Sequence, residues 1–276
     1  MITKNAGFAS KSIIYFVLIL FAVVMIVPFV WMFLTAFKTM PEATATNPMV
    51  IFPSQWLIEN FQFVLQTQDF VNLYGVTLTM IAGRIVAAVL TATFAGYALA
   101  RIKFFGSNLV LILVLMQMMV PTQIFILPWF QMMSTLGQLD TMFSLLFPGF
   151  VSAFGTFLMR QSYKSLPRDL EEASILDGCN HGQTFLFVMA PLVKSAMVAL
   201  GIFTAIFAYL ELLWPLIAQH RVMPLSGALA MMQGQHFTHF PRLMAAALMA
   251  TLPMIVIYLI FQKQFVEGIA TTGTKL

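Results

Sequence analysis

Six long runs of apolar residues restrict the fold of this chain more than any other feature of its sequence. They cover residues 13–37, 75–100, 109–133, 143–159, 193–218 and 243–266. A membrane-spanning helix needs about 20 mostly apolar residues. Lipid cannot satisfy open backbone groups, so each run is helical unless the chain closes as a barrel, whose strands would alternate polar and apolar residues. These runs are continuous, and they predict an all-α, polytopic membrane protein with a bundle of six transmembrane helices.

The composition excludes the main alternatives to a membrane protein. Only 9% of the residues are charged and 60% are hydrophobic, whereas a soluble domain carries about 25% charged residues. The same values exclude a disordered chain. The single cysteine, Cys179, cannot form an internal disulfide. We therefore expect a single transmembrane domain over residues 1–276.

The lysines and arginines are unevenly distributed between alternate loops. With a cytoplasmic N-terminus, ten of them lie in cytoplasmic segments and three lie outside, while Arg84 falls inside a span. Lysine and arginine are enriched in cytoplasmic loops of membrane proteins. The sequence thus predicts a multi-pass protein of the cell (inner) membrane with both termini in the cytoplasm.

The most polar cytoplasmic segment covers residues 161–192. Apolar residues recur in it at helical spacing, at Leu166, Leu170, Ala173 and Leu176. Gly178 follows, where helices commonly end in a left-handed conformation, and Asn180 with Gln183 resembles an N-cap pair that opens a second helix. The pattern predicts a helix-turn-helix lying along the membrane. Taken by itself, this helix-turn-helix is a packed cytoplasmic loop that only caps the bundle.

The same loop carries a recognisable motif. It reads Glu172-Ala173-Ser174, two residues, Asp177-Gly178, nine residues, and then Val188-x-Ala190-Pro191. This resembles the EAA loop of binding-protein-dependent ABC importer permeases, which runs E-A-A, D-G, nine residues, I-x-L-P. Segments 96–106, 157–161, 213–216 and 261–268 extend the resemblance over nearly the whole chain. They are similar to the carbohydrate-uptake branch, the maltose-type inner-membrane component.

The resemblance implies a function and a set of partners. The chain would form half of the translocation pathway of an importer for a sugar or oligosaccharide, and its loop would couple that pathway to a cytoplasmic ATPase. The partners implied are a second permease subunit, identical or related, two copies of an ATP-binding subunit, and an extracytoplasmic solute-binding protein. The residues that match the coupling loop are Glu171, Glu172, Ala173, Ser174, Asp177 and Gly178.

Two ionisable residues, Arg84 and Glu211, fall inside predicted spans, where charges are costly and face protein or water. Either residue would bond another helix or contact the substrate or a gate. Tyr209 and Trp214 flank Glu211; such aromatic side chains stack on a sugar ring or anchor a helix at the membrane interface. These four residues are the candidates for the substrate pathway.

Catalysis and metal binding find no support in the sequence. None of the Lys-Ser pairs follows the glycine pattern of a P-loop, so we predict no ATP hydrolysis by this chain and no enzyme activity. His220, His236 and His239 share one outer loop without metal-ligand spacing, and we expect no metal, no cofactor and no nucleic acid. The alternatives are an ATP-independent secondary transporter or channel and, within the family, a sugar- or glycerol-phosphate permease.

Overall fold

The computed structural model describes residues 8–234 and 238–273, with side chains from residue 11 to residue 262 outside that gap. Most of the described residues are helical. Within the described residues there is no strand, and the extended pairing is limited to an isolated bridge between Thr46 and Met49. The predicted all-α fold is therefore confirmed.

The described residues form fifteen α-helices, with two short 3₁₀ segments and one π-helical segment between them. The helices are α1 (Phe8–Ala36), α2 (Met40–Thr44), α3 (Glu59–Thr67), α4 (Phe70–Arg101), α5 (Ser107–Met119), α6 (Ile126–Thr135), α7 (Met142–Leu146), α8 (Ala153–Lys164), α9 (Asp169–Leu176), α10 (His181–Gln183), α11 (Ala190–Leu192), α12 (Lys194–Leu210), α13 (Leu213–Ala218), α14 (Leu225–Met231) and α15 (Phe240–Gly273). The 3₁₀ segments cover Thr122–Phe125 and Phe147–Gly149, and the π-helical segment covers Thr184–Met189.

Three helices are long and apolar enough to cross a membrane without interruption, over Lys11–Ala36, Phe70–Arg101 and Phe240–Gln262. Three further candidates are pairs of helices with a sharp bend between them. The pairs are Ser107–Met119 with Thr122–Thr135, bent by 101°, Met142–Gly149 with Ala153–Lys164, bent by 45°, and His181–Leu192 with Lys194–Leu210, bent by 72°. By length and composition the described chain therefore has three spans, or up to six if each bent pair is one span.

Several of the apolar runs are interrupted in the structure, and two of them show why. In the run 109–133, Val120 is extended, with ψ 123°, because the proline that follows it disfavours the helical conformation. In the run 193–218, α12 ends at Leu210 and Glu211 is extended. Pro215 has no N–H to donate to the Glu211 carbonyl, and its ring would clash with that carbonyl in a continuous helix.

The chain divides into two compact units, which are described separately. One holds the segments up to Phe70 and from Met231 to Pro253, and the other holds Val71–Ala230 and the chain from Met254. In the first unit, the Arg242 guanidinium lies 3.6 Å from the centroid of the Phe63 ring, which joins α3 to the start of α15. This cation–π contact is one of the bonds between the two segments of that unit.

The second unit carries the apolar core next to the loop that contains the motif. Tyr97, Tyr163 and Phe185 pack together there, with ring centroids 5.0 to 6.5 Å apart. Helices α4 and α8 approach very closely, because a Cβ added at Gly96 would lie 2.6 Å from the Cβ of Met159. Packing therefore requires glycine at position 96. Because Gly96 has no side chain, α8 and the loop after it can lie directly against α4.

Candidate functional site

Arg84 lies on α4 in the second unit and is only 5% exposed. Its Nε donates a hydrogen bond to the Leu145 carbonyl oxygen at 2.7 Å, and its Nη2 donates to the same oxygen. Its Nη1 forms an ion pair with the Glu211 carboxylate. One guanidinium thus links α4 to the end of α7 and to the break between α12 and α13, and its charge is neutralised inside the protein.

The break at Glu211 places this carboxylate beside Arg84. Because Pro215 cannot bond the Glu211 carbonyl, that oxygen accepts a hydrogen bond from the Ser226 hydroxyl instead, at 2.6 Å. The backbone group is therefore satisfied in spite of the missing helical bond. The extended conformation at Glu211 turns the chain at the Arg84 pair, which a regular helix over 193–218 would not do.

A cavity of about 740 Å³ opens beside the pair. Arg84 and Glu211 are the charged residues of its wall. Its polar lining consists of amides and hydroxyls, from Gln117, Gln123, Thr122, Ser152 and Thr204, and its aromatic lining comes from Phe125, Trp129, Phe154, Phe207 and Trp214. The wall thus combines a neutralised charge pair, uncharged hydrogen-bonding groups and aromatic rings.

The four residues predicted for the substrate pathway do not all meet at this cavity. Arg84, Glu211 and Trp214 line it, but Tyr209 is not part of the wall. Tyr209 packs instead against the apolar cluster that includes Met80 and Leu145. Tyr209 lies two residues before the break at Glu211, and its side chain faces the core of the second unit.

Trp214 is held in place more firmly than a freely stacking ring would be. Its Nε1 donates to the Ser144 carbonyl oxygen at 2.8 Å, and its ring meets Trp129 edge-on with 5.8 Å between centroids. Sequence reasoning missed Trp129 and the glutamines of the wall. The signal for them was present, because Gln117 and Gln123 are polar side chains inside an apolar run that contains Pro121.

The motif loop forms two helical segments joined by a tight turn. Gly178 has φ +87°, as predicted for the left-handed residue after α9, and a Cβ there would meet no atom within 4 Å. The predicted cap pair is present, because Asn180 and Gln183 form a capping box at 2.9 Å in both directions. The Ser174 and Thr184 hydroxyls share a hydrogen bond of 2.9 Å, which ties α9 to the π-helical segment.

Glu171 and Glu172 point in different directions. Glu171 lies 3.7 Å from Arg101 at the end of α4, whereas Glu172 is exposed. Arg101 also donates to the backbone carbonyls of Tyr163 and Leu166, at 2.6 and 2.7 Å. Glu171 therefore belongs to the contacts that fasten the loop to α4.

The six motif residues separate accordingly into two groups. Glu171 and Ser174 face the protein, while the exposed ones are Glu172, Ala173, Asp177 and Gly178. The apolar residues of the loop divide in the same way between buried and exposed positions. Leu166 packs against the core, but Leu176 is 88% exposed and Leu170 and Ile175 are exposed as well. The outer face of α9 is thus a mixed apolar and acidic surface.

Two of the three histidines of the outer loop, His220 and His239, lie among the described residues. Within the described residues, no group of three or more His, Cys, Asp or Glu side chains is arranged to hold a metal ion. His220 donates its backbone N–H to the Asp140 carboxylate at 2.8 Å, and the ring of His239 accepts the backbone N–H of Arg242. His236 lies outside the described residues.

Comparison with known proteins assigns this helical architecture to a class. Residues 85–270 match the family model described as the binding-protein-dependent transport system inner membrane component. The chain belongs to that family. It is a multi-pass permease subunit of an ABC importer, and this assignment replaces the alternative of an ATP-independent transporter or channel.

Individual relatives resemble the chain over almost its whole length. It is 27% identical over 258 residues to the arabinooligosaccharides transport system permease protein AraQ of Halalkalibacterium halodurans, covering 92% of each chain. It is 29% identical over 280 residues to the maltodextrin transport system permease protein MdxG of Bacillus subtilis, covering 100% of each.

The fold is also similar to that of a solved structure. A chain from the crystal structure of a bacterial ABC transporter involved in the import of the acidic polysaccharide alginate aligns with a TM-score of 0.78, 22% identity, and coverage of 95% of this chain and 99% of that chain. At this level of identity the similarity concerns the fold.

Proposed function

We propose that this permease forms half of the translocation pathway for a neutral sugar or oligosaccharide, which passes the cavity beside Arg84. The lining of that cavity is the observation that carries the proposal. Its amides and hydroxyls suit the hydroxyl groups of a sugar, and its rings offer flat apolar surfaces of the kind that ligand sites use. AraQ and MdxG, which the chain resembles over most of its length, are named for oligosaccharides.

A neutral solute fits the charges of the cavity better than an anionic one. A phosphate or a carboxylate is bound most strongly by a cation whose N–H groups are free to form charge-assisted hydrogen bonds. The Nε and Nη2 of Arg84 already donate to Leu145, and its Nη1 pairs with Glu211. An acidic or phosphorylated solute is the second candidate, supported by the alginate importer that the fold resembles, and it would compete with Glu211 for the guanidinium of Arg84.

The second part of the proposal concerns energy coupling. The exposed face of α9 supplies apolar side chains at Leu170 and Leu176 and carboxylates at Glu172 and Asp177. Such a surface suits a cleft with an apolar floor and basic rim on a cytoplasmic ATPase. Because Arg101 fastens α9 to α4, a force on the loop would reach the helix that carries Arg84.

The assembly follows from the family. We propose one transmembrane domain over residues 1–276 with both termini in the cytoplasm and residues 161–192 as the coupling loop. The working importer then contains a second permease subunit, two ATP-binding subunits and an extracytoplasmic solute-binding protein. The unequal distribution of lysine and arginine supports this orientation, and we propose no enzyme activity for the chain itself.

Uptake by the reconstituted importer tests the proposed solute. Proteoliposomes that contain both permeases, the ATPase and the binding protein are supplied with arabino- and malto-oligosaccharides, oligoalginate and glycerol phosphate. We expect ATP-dependent uptake of a neutral oligosaccharide. Gln123→Leu removes a hydrogen-bonding group from the cavity and should lower this uptake several-fold while the complex still assembles.

Gln131→Leu is the matched control, because Gln131 lies on α6, is exposed and is not part of the cavity wall. Normal uptake in the Gln131 variant together with reduced uptake in the Gln123 variant supports the proposed path. Equal uptake in both variants would place the path elsewhere, and uptake restricted to oligoalginate or glycerol phosphate would favour the second candidate.

A further inference from the structure

A segment of the first unit is fastened along the last turns of α1. The Lys38 ammonium donates to the Val50 carbonyl oxygen at 2.8 Å and lies 4.1 Å from the centroid of the Trp31 ring. The Leu57 N–H donates to the Phe37 carbonyl oxygen at 3.1 Å. Lys38 is fully buried, so this is a fixed attachment, which brings residues 50–57 back beside the helix they follow.

Aromatic contacts strengthen the attachment. The Trp56 ring meets Phe37 edge-on with 5.1 Å between centroids and lies 6.2 Å from Phe33. The Asn60 amide, which is buried, donates to the Ala36 carbonyl at 2.9 Å and so satisfies one of the open carbonyls at the end of α1. The level of residues 50–57 along α1 is therefore set by contacts with its last two turns.

The segment takes part in a polar group and exposes apolar side chains. The Glu42 carboxylate accepts the N–H of Ser54 at 3.0 Å and that of Thr39 at 2.8 Å. The apolar side of the segment is defined as its large exposed side chains, with Phe52 at 68%, and consists of Met49, Ile51, Phe52, Trp56 and Ile58. These large side chains come from only ten residues, a density that water-facing loops rarely show.

The length of α1 indicates where this apolar side lies. The candidate span Lys11–Ala36 has 26 residues, which at 1.5 Å per residue is about 39 Å. The hydrocarbon core of a bilayer is about 30 Å thick. With Lys11 at one membrane surface, the last turns of α1 reach the headgroup region of the other, which is where tryptophan and other amphipathic rings accumulate. The segment beside those turns is at the same depth.

We propose that residues 49–58 are an interfacial membrane anchor. Ile51, Phe52 and Trp56 insert among the lipid headgroups and upper acyl chains at the C-terminal end of α1, and the group around Glu42 faces water. The partner of this surface is the lipid bilayer. Continuity argues for it, because the apolar side continues the surface of α1, whose candidate span is 0% buried inside the described chain.

Site-directed spin labelling of the assembled importer in liposomes tests the proposal. A Cys179→Ser background removes the native thiol of this chain, and Phe52→Cys receives a nitroxide in a complex with no other reactive cysteine. We expect high collision with oxygen and low collision with a water-soluble nickel chelate. Thr44→Cys is the matched control on α2, an exposed polar position, and should show the opposite preference.

Each outcome decides the question. A several-fold higher ratio of oxygen to nickel accessibility at residue 52 than at residue 44 supports the anchor. A water-like ratio at residue 52 overturns it. Low accessibility to both reagents also overturns it, because protein then covers the surface; if this appears only when the solute-binding protein is added, that protein is the partner. The measurement involves no transport, so it stands or falls independently of the proposed solute.

Discussion

At the scale of single residues, Arg84 is the best example of a charge whose burial is compensated by its partners. Removing two ions from water is costly, and a buried pair tolerates this cost only when hydrogen bonds satisfy its remaining polar groups. Arg84 meets that condition through the Leu145 carbonyl as well as the Glu211 carboxylate. The guanidinium therefore holds three segments at the cavity wall, in addition to any contact with solute.

Arg84→Met tests this role. It leaves the half-buried Glu211 carboxylate without its ion-pair partner, and leaving a polar group unsatisfied in this way costs about 1–3 kcal/mol. We expect a lower melting temperature of the purified importer in detergent, together with reduced uptake. Arg84→Met with Glu211→Gln should cost less than the sum of the two single changes, because no unpaired charge then remains.

Arg160→Met is a suitable control for that experiment. Arg160 is half-buried and donates to one backbone carbonyl, that of Leu99, at 3.3 Å, so its loss should lower the melting temperature less. Strict additivity of the Arg84 and Glu211 changes would contradict the pair as an energetic unit. Unchanged stability and unchanged uptake in Arg84→Met would dismiss both roles of this residue.

Glu42 provides a pH-dependent contact outside the spans. Hydrogen bonds from the Ser54 side chain and from the backbone of Thr39 and Ser54 lower the pKa of this carboxyl from 4.5 to about 2. A lowered pKa in the folded protein means that the ionised form stabilises the fold. The contribution is complete above the unfolded pKa near 4.5 and is lost as the pH falls toward 2.

Glu42→Gln should therefore loosen the segment 39–57 at pH 7. The expected result is faster amide hydrogen exchange at Thr39 and Ser54 than in the wild type. This difference between variant and wild type should shrink as the pH is lowered from 4.5 toward 2, because the wild-type carboxyl then becomes protonated as well. A difference that is independent of pH over this range would contradict the role of the ionised carboxylate.

At the scale of elements, α9 and the turn after it form a small unit with separate inner and outer functions. Glu171 and Ser174 bind α9 to the rest of the second unit, and Glu172 and Asp177 remain outside. Gly178 sets the direction in which the chain leaves α9. The proposed contact with the ATPase therefore depends on both the inner contacts and the turn.

Gly178→Val tests the turn. Valine in a left-handed conformation is disfavoured by roughly 1–2 kcal/mol, and no clash contributes because the Cβ position is free of neighbours. We expect normal membrane insertion, weaker association with the ATPase and loss of uptake. Glu172→Lys should have the same effect by reversing an exposed charge of the outer face.

Gly178→Asn is the graded control, since asparagine tolerates the left-handed region better than other residues with a side chain. It should retain more ATPase binding than Gly178→Val. If both the valine and the Glu172→Lys variants import at the normal rate with the ATPase bound, this loop is not the coupling element.

At the scale of the whole molecule, orientation in the membrane follows from charge. A reporter enzyme fused after residue 276 should be active only if the enzyme functions in the cytoplasm, because the distribution of lysine and arginine predicts a cytoplasmic location for both termini. A fusion in the 38–74 loop should show the opposite preference and is the internal control. Activity of a periplasmic reporter at the C-terminus would contradict this topology.

Local sequence patterns were sufficient for features that depend on the neighbouring chain. The apolar runs predicted the all-α membrane fold, because a backbone in lipid must satisfy its own hydrogen bonds. Gly178 and the Asn180–Gln183 pair predicted a turn and a cap, because each depends on residues within one helical turn. The motif around Glu172 identified the family for the same reason, since its residues are contiguous.

Only the tertiary structure decided which distant groups meet. A helix that is apolar on all sides has no polar face to show which side is turned inward, so the runs did not reveal that Arg84 faces Glu211 or that Tyr209 lies off the cavity. Glu171 and Glu172 are adjacent and chemically alike, yet Arg101, a helix away, binds the first. Partner choice depends on how helices pack and rotate against each other, and that arrangement is a property of the folded chain as a whole.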